Sequence, residues 1–179
     1  MSYCTYCAPL PVEDLNKIYH DTAYGFPISD DNELFGRLIL EINQAGLSWA
    51  LMLKKEKDFR LAFDNFSIAK IALYDDVKIS ELLDNSGIIR NRLKINSVIF
   101  NAQKIVSLQK EFGSFAEWLN FHHPLTKEEW MKLFKKNFKF TGGEIVNEFL
   151  MSTGYLKGAH DENCTIFDTI IDHNPKWKI

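Results

Sequence analysis

Two pairs of metal-binding side chains lie at opposite ends of the chain. Cys4 and His20 lie near the amino terminus, and His160 and Cys164 lie near the carboxyl terminus. Thiolate sulfur and imidazole nitrogen are the ligands that Zn²⁺ prefers, and four of them complete a closed tetrahedral site. A zinc ion bound in this way would have a structural role, because it would join two terminal segments that have little core of their own.

Other combinations of the same residue types fit the sequence. Cys4 and Cys7 form a C-x-x-C pair that could bind metal and leave His20 free. His173 is a further candidate ligand, and the residues could also be unrelated in space. Composition does not choose among these arrangements. Three cysteines, an odd number, are a poor basis for a disulfide framework.

A carboxylate precedes an amide-rich and aromatic segment in the first third of the chain. Glu41 ends an apolar helical pattern and is followed by residues 43–49, NQAGLSW. A buried carboxylate is costly unless it is paired or bound to a ligand that donates hydrogen bonds. A cationic base with an amino group would be such a ligand, and aromatic rings would attract its charge. The candidate aromatic residues are Tyr6, Tyr19, Tyr24 and Trp49. On the residues alone, an exposed Glu41 beside core aromatics is the simpler interpretation.

A third candidate site is a glycine-containing turn between two helical segments within residues 82–95. Such a turn directs backbone N–H groups and the positive end of the second helix outward, and these groups can bind a phosphate. The residues predicted to contact DNA in this way are Gly87, Ile88, Ile89, Arg90, Arg92 and Lys94. An ordinary helical hairpin in a bundle has the same pattern and is the simpler interpretation of the residues alone.

The remaining sequence predicts helices and no convincing pair of strands, so the fold class is all-α. Of 179 residues, 46% are hydrophobic, which is enough for a sizeable core in one unit. Apolar spacing predicts helices over 32–43, over 49–63 after a Ser48 cap, over 78–85, and from Ile89 to about Phe112. Capping boxes, in which Ser or Thr precedes Glu by three residues, predict further helix starts at Ser114, Thr126 and Thr141.

The two ends of the chain lack these patterns. Residues 1–31 and 155–179 are expected to be irregular tails on a helical core of about residues 30–154. The net charge of −3 argues mildly against nucleic-acid binding, so any phosphate-binding face must be local. No segment has the composition of a signal peptide or a membrane span, and we expect a cytoplasmic protein.

Five motifs, in order along the chain, resemble the 3-methyladenine DNA glycosylase I family. They are YHDTAYG (19–25), LEINQAGLSW (40–49), LKK (53–55), GIIRNRLKI (87–95) and FKFTG (138–142). The string E-x-x-Q-A-G-L-S-W is highly specific, and the resemblance extends from Cys4 to Cys164. It implies a helix-hairpin-helix glycosylase fold, in which the hairpin binds the backbone of kinked DNA and the base pocket lies between helical lobes.

The resemblance also implies roles for the candidate residues. It makes the structural zinc ligands Cys4, His20, His160 and Cys164, and it leaves Cys7 outside the site. By similarity, Glu41 accepts hydrogen bonds from the amino edge of a flipped 3-methyladenine, in a pocket lined by Tyr19 and Trp49.

The same resemblance implies how the protein contacts its substrate. Leu47, with Gly46, would occupy the gap left in the base stack, and the hairpin from Gly87 to Arg90 would bind phosphate. The implied partners are double-stranded alkylated DNA and the released base, and we expect a monomer.

The implied activity is hydrolysis of the N-glycosidic bond of 3-methyladenine. Methylation at N3 gives the attached base a positive charge, so it leaves neutral and needs no protonation. Related glycosylases use an Asp beyond the hairpin to stabilise the sugar cation, whereas the resemblance implies that this Asp is lacking, and none follows Gly87 closely here. No motif places a Lys to form a Schiff base, so the expected product is an abasic site without strand cleavage.

Two positions depart from the family pattern, which commonly has Trp where this chain has Tyr6 and Tyr24. Tyr has a smaller stacking face and a hydroxyl that needs a partner. These departures leave open a non-catalytic module that only recognises damaged DNA. A zinc hydrolase would need an open coordination position, and a purely structural bundle would leave the string at 41–49 unexplained.

Overall fold

The computed structural model describes residues 2–179, and no β-strand occurs among them. The all-α prediction is therefore confirmed for this part of the chain. The α-helices are α1 (Tyr3–Cys7), α2 (Leu15–Thr22), α3 (Asp31–Gln44), α4 (Trp49–Ala62), α5 (Ile68–Ile71), α6 (Asp76–Asp84), α7 (Arg92–Phe112), α8 (Phe115–His122), α9 (Lys127–Asn137), α10 (Gly143–Ser152) and α11 (Phe167–Asp172). Short 3₁₀ helices span Asp64–Phe66 and Lys176–Lys178. Among residues 2–179, no helix combines the length and apolar character that crossing a bilayer requires.

Helix α3 is the centre of the core. Nine of its 14 residues are buried, as expected for a helix whose apolar side chains are not confined to one face. It packs against α4, α5, α7, α8 and α10. Gly36 permits one of these contacts, because a Cβ atom there would lie 2.3 Å from the ring of Phe66.

Polar contacts fix both ends of α3. At its first turn, the Asp31 carboxylate accepts the backbone N–H groups of Phe115 and Ala116, which begin α8, at 2.7 and 3.0 Å. At its last turn, the Lys94 ammonium of α7 donates to the carbonyls of Asn43 and Ala45 at 2.9 and 3.0 Å. These contacts tie α3 to α7 and α8, so the side chains of its last turn have a defined position.

Most predicted helix starts have the expected caps. The side chains of Ser48 and Ser114 accept backbone N–H groups in the first turns of α4 and α8. Thr126 and Glu129 form both hydrogen bonds of a capping box. The prediction at Thr141 is wrong, because its hydroxyl donates to the Phe138 carbonyl and α10 begins one residue later.

The second helix of the hairpin begins later than predicted. Helix α7 starts at Arg92 rather than Ile89, because the Asn91 side chain accepts the N–H groups of the second and third helical residues. Residues 89–91 therefore lie outside any helix, between the turn and α7, and the Asn91 N–H donates to the Ile89 carbonyl at 2.9 Å. This change decides which hairpin groups face outward.

The terminal segments are more regular than predicted. They contain α1, α2 and α11, and α1 packs against α2, which packs against α4. Ser2 and Asp14 cap the first two of these helices. Such short helices depend on tertiary packing more than on their own propensity, so the sequence pattern does not reveal them.

Candidate active site and metal cluster

A cavity of about 510 Å³ opens beside the last turn of α3. Its wall is completed by the segment containing α1 and α2, the start of α4, helix α10 and residues 158–161. Its carboxylates are Glu41, Glu144, Glu148 and Asp161, and its aromatic rings are Tyr3, Tyr19, Tyr24 and Trp49. Among the residues that the structure describes, no Lys, Arg or His lines this cavity. An acidic aromatic cavity of this kind suits a flat ligand with a positive charge.

Glu41 is a buried carboxylate at the cavity wall. Its residue is 4% exposed, and no group within residues 2–179 donates a hydrogen bond to it. Burial raises the pKa of Glu41 to about 8; the positive charge of Arg37 opposes this shift and the charge of Glu148 adds to it. The interpretation of an exposed Glu41 is therefore wrong. A ligand that donates hydrogen bonds would offset the cost of burying the ionised form.

Tyr19 contacts two other aromatic side chains of the cavity. The ring of Tyr19 lies 5.1 Å from that of Trp49 and 5.6 Å from that of Tyr24, between centroids. Arg37 donates a hydrogen bond of 2.8 Å to the Tyr19 hydroxyl, which fixes this ring from the side of α3. The indole N–H of Trp49 is buried and has no hydrogen-bond partner in the described part of the chain.

Tyr6 does not line the cavity, contrary to the sequence expectation. It is 46% exposed and stacks on Tyr3, with ring centroids 6.1 Å apart and planes at 16°. Both residues lie on one face of α1, three positions apart, and the residue nearer the helix start reaches the cavity. Tyr3, which sequence analysis missed, contacts Tyr24 edge-on with ring centroids 5.3 Å apart.

The hydroxyl of Tyr24 has a partner within the cavity. It donates a hydrogen bond of 3.0 Å to the Glu148 carboxylate of α10. Sequence analysis missed Glu148, which lies 124 positions from Tyr24 and belongs to none of the motifs considered above. Because the hydroxyl is satisfied, Tyr24 is compatible with a position where the family commonly has Trp.

The hairpin is fixed to α4 by its own carbonyl groups. The Lys55 ammonium donates to the carbonyls of Ser86 and Gly87, both at 3.0 Å. A Cβ atom at Gly87 would lie 2.9 Å from Cβ of Asp58, so a glycine is needed for this close approach. The Gly87 N–H donates to the Asn85 side chain at 2.8 Å and is not directed outward to a ligand.

Only part of the predicted phosphate-binding set is accessible. Ile88 is buried in the core, and its N–H donates to a carbonyl within the turn. Arg90 and Arg92 are exposed, and the backbone N–H groups of Ile89 and Arg90 have no partner within residues 2–179. The prediction for Lys94 is wrong, because its ammonium is buried and donates to the last carbonyls of α3.

A short exposed loop lies between the cavity residues Gln44 and Trp49. Gly46 has φ of +83°, a left-handed conformation that favours glycine. The Gln44 side chain donates to the Leu47 carbonyl at 2.8 Å, and the Leu47 N–H donates to the Gln44 carbonyl at 2.7 Å. Leu47 is 36% exposed, so this braced loop presents an apolar side chain to solvent beside the cavity.

Cys4, His20, His160 and Cys164 converge although they come from opposite ends of the chain. Their ligand atoms all lie within 4.8 Å of one another. Nδ1 of His160 lies 3.6 Å from Sγ of Cys4 and 3.5 Å from Sγ of Cys164, which lies 3.7 Å from Nε2 of His20. A tetrahedral ion with bonds of about 2.0–2.3 Å would separate such atoms by about 3.5 Å. The cluster could therefore hold a metal ion.

The outer nitrogen of each cluster histidine has a hydrogen-bond partner. Nδ1 of His20 lies 2.6 Å from the Asp21 carboxylate, and Nε2 of His160 lies 2.8 Å from the Tyr24 carbonyl. Such contacts orient metal-binding imidazoles and fix which nitrogen faces the ion. Cys7 and His173 lie outside the cluster, with hydrogen bonds to backbone carbonyls instead.

The chain resembles known proteins over most of its length. The methyladenine glycosylase family model matches residues 10–132. DNA-3-methyladenine glycosylase of Haemophilus influenzae is 34% identical over 165 residues, covering 82% of this chain and 89% of that protein. DNA-3-methyladenine glycosylase 1 of Escherichia coli is 29% identical over 180 residues, covering 90% and 96%. A solved structure of 3-methyladenine DNA glycosylase I from Staphylococcus aureus, which concerns 3-methyladenine recognition, is 27% identical with a TM-score of 0.81, covering 92% and 97%.

Burial of Glu41 predicts a pH-dependent loss of stability. The pKa rises from an ordinary value of 4.5 to about 8 on folding, so the folded state binds the proton more tightly. The free-energy cost of burying the ionised carboxylate is absent at acid pH, grows between the two pKa values and levels off above the higher one. Glu41→Gln should therefore raise the free energy of unfolding by a few kcal/mol, roughly, above pH 8 and change it little below pH 4. Urea unfolding across this range measures the difference, and a pH-independent difference would contradict it.

Proposed function

This chain belongs to the methyladenine glycosylase family, and from this premise we propose that it excises 3-methyladenine from alkylated double-stranded DNA. It acts as a monofunctional base-excision repair enzyme and leaves an abasic site. The catalytic unit is a monomer. The observation that carries the proposal is the buried, undonated Glu41 carboxylate at the wall of an acidic aromatic cavity.

The cavity supports recognition of a flipped, methylated adenine. The amino edge of the base donates hydrogen bonds to Glu41, and its positive charge favours the ionised carboxylate that burial disfavours. Tyr19, Tyr24 and Trp49 contact its faces and edges, and Tyr3 takes the place that sequence analysis gave to Tyr6. An uncharged, undamaged adenine lacks this electrostatic attraction and binds less tightly in the cavity.

The reaction needs little catalytic assistance from the protein beyond this recognition. The bond between C1′ of the sugar and N9 of the base breaks, and its electron pair neutralises the departing cationic base. Water attacks C1′, forms the new C–O bond and releases a proton to solvent. Extrusion and selective binding of the charged base supply the specificity.

Two surface features support the DNA interface. Leu47, beyond the left-handed Gly46, fills the space that the flipped base vacates. The exposed Arg90 and Arg92, with the free N–H groups of Ile89 and Arg90, bind a phosphate at the start of α7. This small basic site is compatible with a net charge of −3, because backbone amides provide part of the attraction.

The metal in the Cys/His cluster is zinc, and its role is structural. Two thiols and two imidazoles suit Zn²⁺, and four protein ligands leave no open position for a reacting water. The ion would join the terminal segments, and its ligand His160 contacts the carbonyl of the cavity residue Tyr24.

Excision by the wild-type protein and its loss in one variant test the proposed activity. Glu41→Gln keeps the shape but removes the charge, and it should lower single-turnover release of 3-methyladenine by about 100-fold or more. Chromatography of the bases released from methylated duplex DNA measures the rate. Glu111→Gln, an exposed charge-matched control on α7, should be normal. A wild-type protein that binds this DNA and releases no base would instead be the non-catalytic module.

Metal analysis of variants tests whether Cys164, and not Cys7, is a ligand of the cluster. Wild-type protein should contain one zinc per chain, and Cys164→Ser should lose it and melt lower by about 5–10 °C. Cys7→Ser is the matched control, since Cys7 is buried outside the cluster, and it should keep its zinc. Full zinc content in Cys164→Ser would contradict the ligand set.

The two cations at the start of α7 should behave differently. Arg92→Ala should leave thermal stability unchanged and reduce the slope of log K against log salt for duplex binding by about 0.9. Lys94→Met should lower stability, because the carbonyls of Asn43 and Ala45 at the end of α3 lose their donor, and should keep the salt slope. Fluorescence anisotropy titrations at several salt concentrations measure both slopes. The reverse pattern would return Lys94 to the DNA interface.

A further inference from the structure

We propose that Glu148 is a second recognition residue of the cavity, positioned by Tyr24, and that it makes the site selective for a base carrying a positive charge. This inference rests on the proposed function and names the property by which the same cavity distinguishes its substrate. Glu148 is a specificity determinant, because it contacts the bound base and takes no part in breaking the bond.

Two different helices bring carboxylates to one cavity. Glu41 comes from the last turn of α3, and Glu148 comes from the middle of α10, which packs against α3. Met151, one turn after Glu148, also lines the cavity, so this face of α10 forms part of the wall. A base bound against Glu41 therefore lies in the same enclosed space as the second carboxylate.

One oxygen of Glu148 is fixed and the other is available. Oε2 accepts the Tyr24 hydroxyl at 3.0 Å, whereas Oε1 has no hydrogen-bond partner within residues 2–179. Tyr24 is itself well held: it is 7% exposed, it contacts the Tyr3 ring edge-on, and its carbonyl accepts the His160 side chain. The carboxylate is thus oriented before any ligand arrives.

No cation within the cavity lining balances these charges. Arg37, whose charge acts on Glu41, is outside the lining and donates to the Tyr19 hydroxyl and the Ser152 carbonyl. Lys127, also outside the lining, pairs with Glu144 at 3.5 Å, and its charge offsets only part of the effect of burial on the pKa of Glu148. Burial raises the pKa of Glu148, and its negative charge contributes to the raised pKa of Glu41. Both pKa values shift upward, as they do for carboxylates whose negative charge is poorly balanced.

A positively charged ligand relieves this imbalance and a neutral one does not. At a partly buried site the attraction between opposite charges is much stronger than in water. Methylated adenine in DNA is cationic, whereas intact adenine and the released base are neutral. Glu148 therefore attracts the charged, damaged base as it enters the cavity. It has no such electrostatic attraction to the neutral product. Because it acts on the bound cation before the bond breaks, it affects substrate affinity more than the rate of the chemical step.

Two small ligands isolate the charge from the rest of recognition. At mildly alkaline pH the 3,9-dimethyladeninium cation is positively charged and free 3-methyladenine is uncharged. By calorimetry with the zinc-loaded protein, Glu148→Gln should weaken binding of the cation by about tenfold or more and of the neutral base by less than about threefold. With methylated DNA, the same variant should raise KM and leave kcat within about threefold.

Two further variants test the positioning by Tyr24. Tyr24→Phe should weaken binding of the cation by an intermediate factor, and the double variant should bind it no more weakly than Glu148→Gln alone, since the two residues act as a unit. Glu111→Gln, remote from the cavity, should change neither ligand's affinity. Melting temperatures identify any variant that is not folded, and for Glu148→Gln the isosteric amide keeps the side-chain volume.

The outcomes separate this inference from the proposed activity. Equal weakening of both ligands by Glu148→Gln, or additive losses in the double variant, would overturn the charge-selective role while excision by the wild-type protein still stands. Absence of excision by the wild-type protein would overturn the proposed function, whatever the ligand affinities are.

Discussion

The rest of the structure depends on placing one carboxylate in the last turn of a buried helix. Ionised Glu41 at 4% exposure is unfavourable unless a ligand donates to it. A flexible site would turn this side chain to solvent, so α3 must be held firmly. Asp31 at its first turn and Lys94 at its end provide that restraint, together with the apolar packing along its length. The stability of the core is therefore also what keeps the cavity ready for its ligand.

The metal cluster and the cavity share their supporting residues. Tyr3 is adjacent to Cys4 and Tyr19 is adjacent to His20, so two cavity rings neighbour cluster ligands in the chain. The third connection is through space, because the Tyr24 carbonyl accepts the His160 ring. Joining the two ends of the chain thus also positions three of the four rings that surround the proposed base.

The distribution of charge is consistent with a protein that binds DNA although its net charge is negative. Acidic groups gather in the cavity, where a cationic base is expected, and two exposed arginines lie at the hairpin. Of the other nearby lysines, Lys55 fixes the hairpin carbonyls and Lys94 fixes the end of α3. Basic residues near the turn proposed to bind phosphate can therefore be structural, and their sequence spacing does not distinguish the two roles.

Local patterns in the sequence determined the helical class and the caps at Ser48 and Thr126. The sequence also supplied the ligand types of the metal cluster and the carboxylate at Glu41. These features depend on hydrogen bonds and apolar spacing within a few residues, which a linear sequence displays directly. The tertiary structure alone decided that Glu148 satisfies Tyr24, that Tyr3 rather than Tyr6 reaches the cavity, and that Lys94 is buried. Each of these depends on which surfaces pack together. The Lys94 and Glu148 contacts join residues 51 and 124 positions apart, and such contacts leave no periodic signal in one sequence.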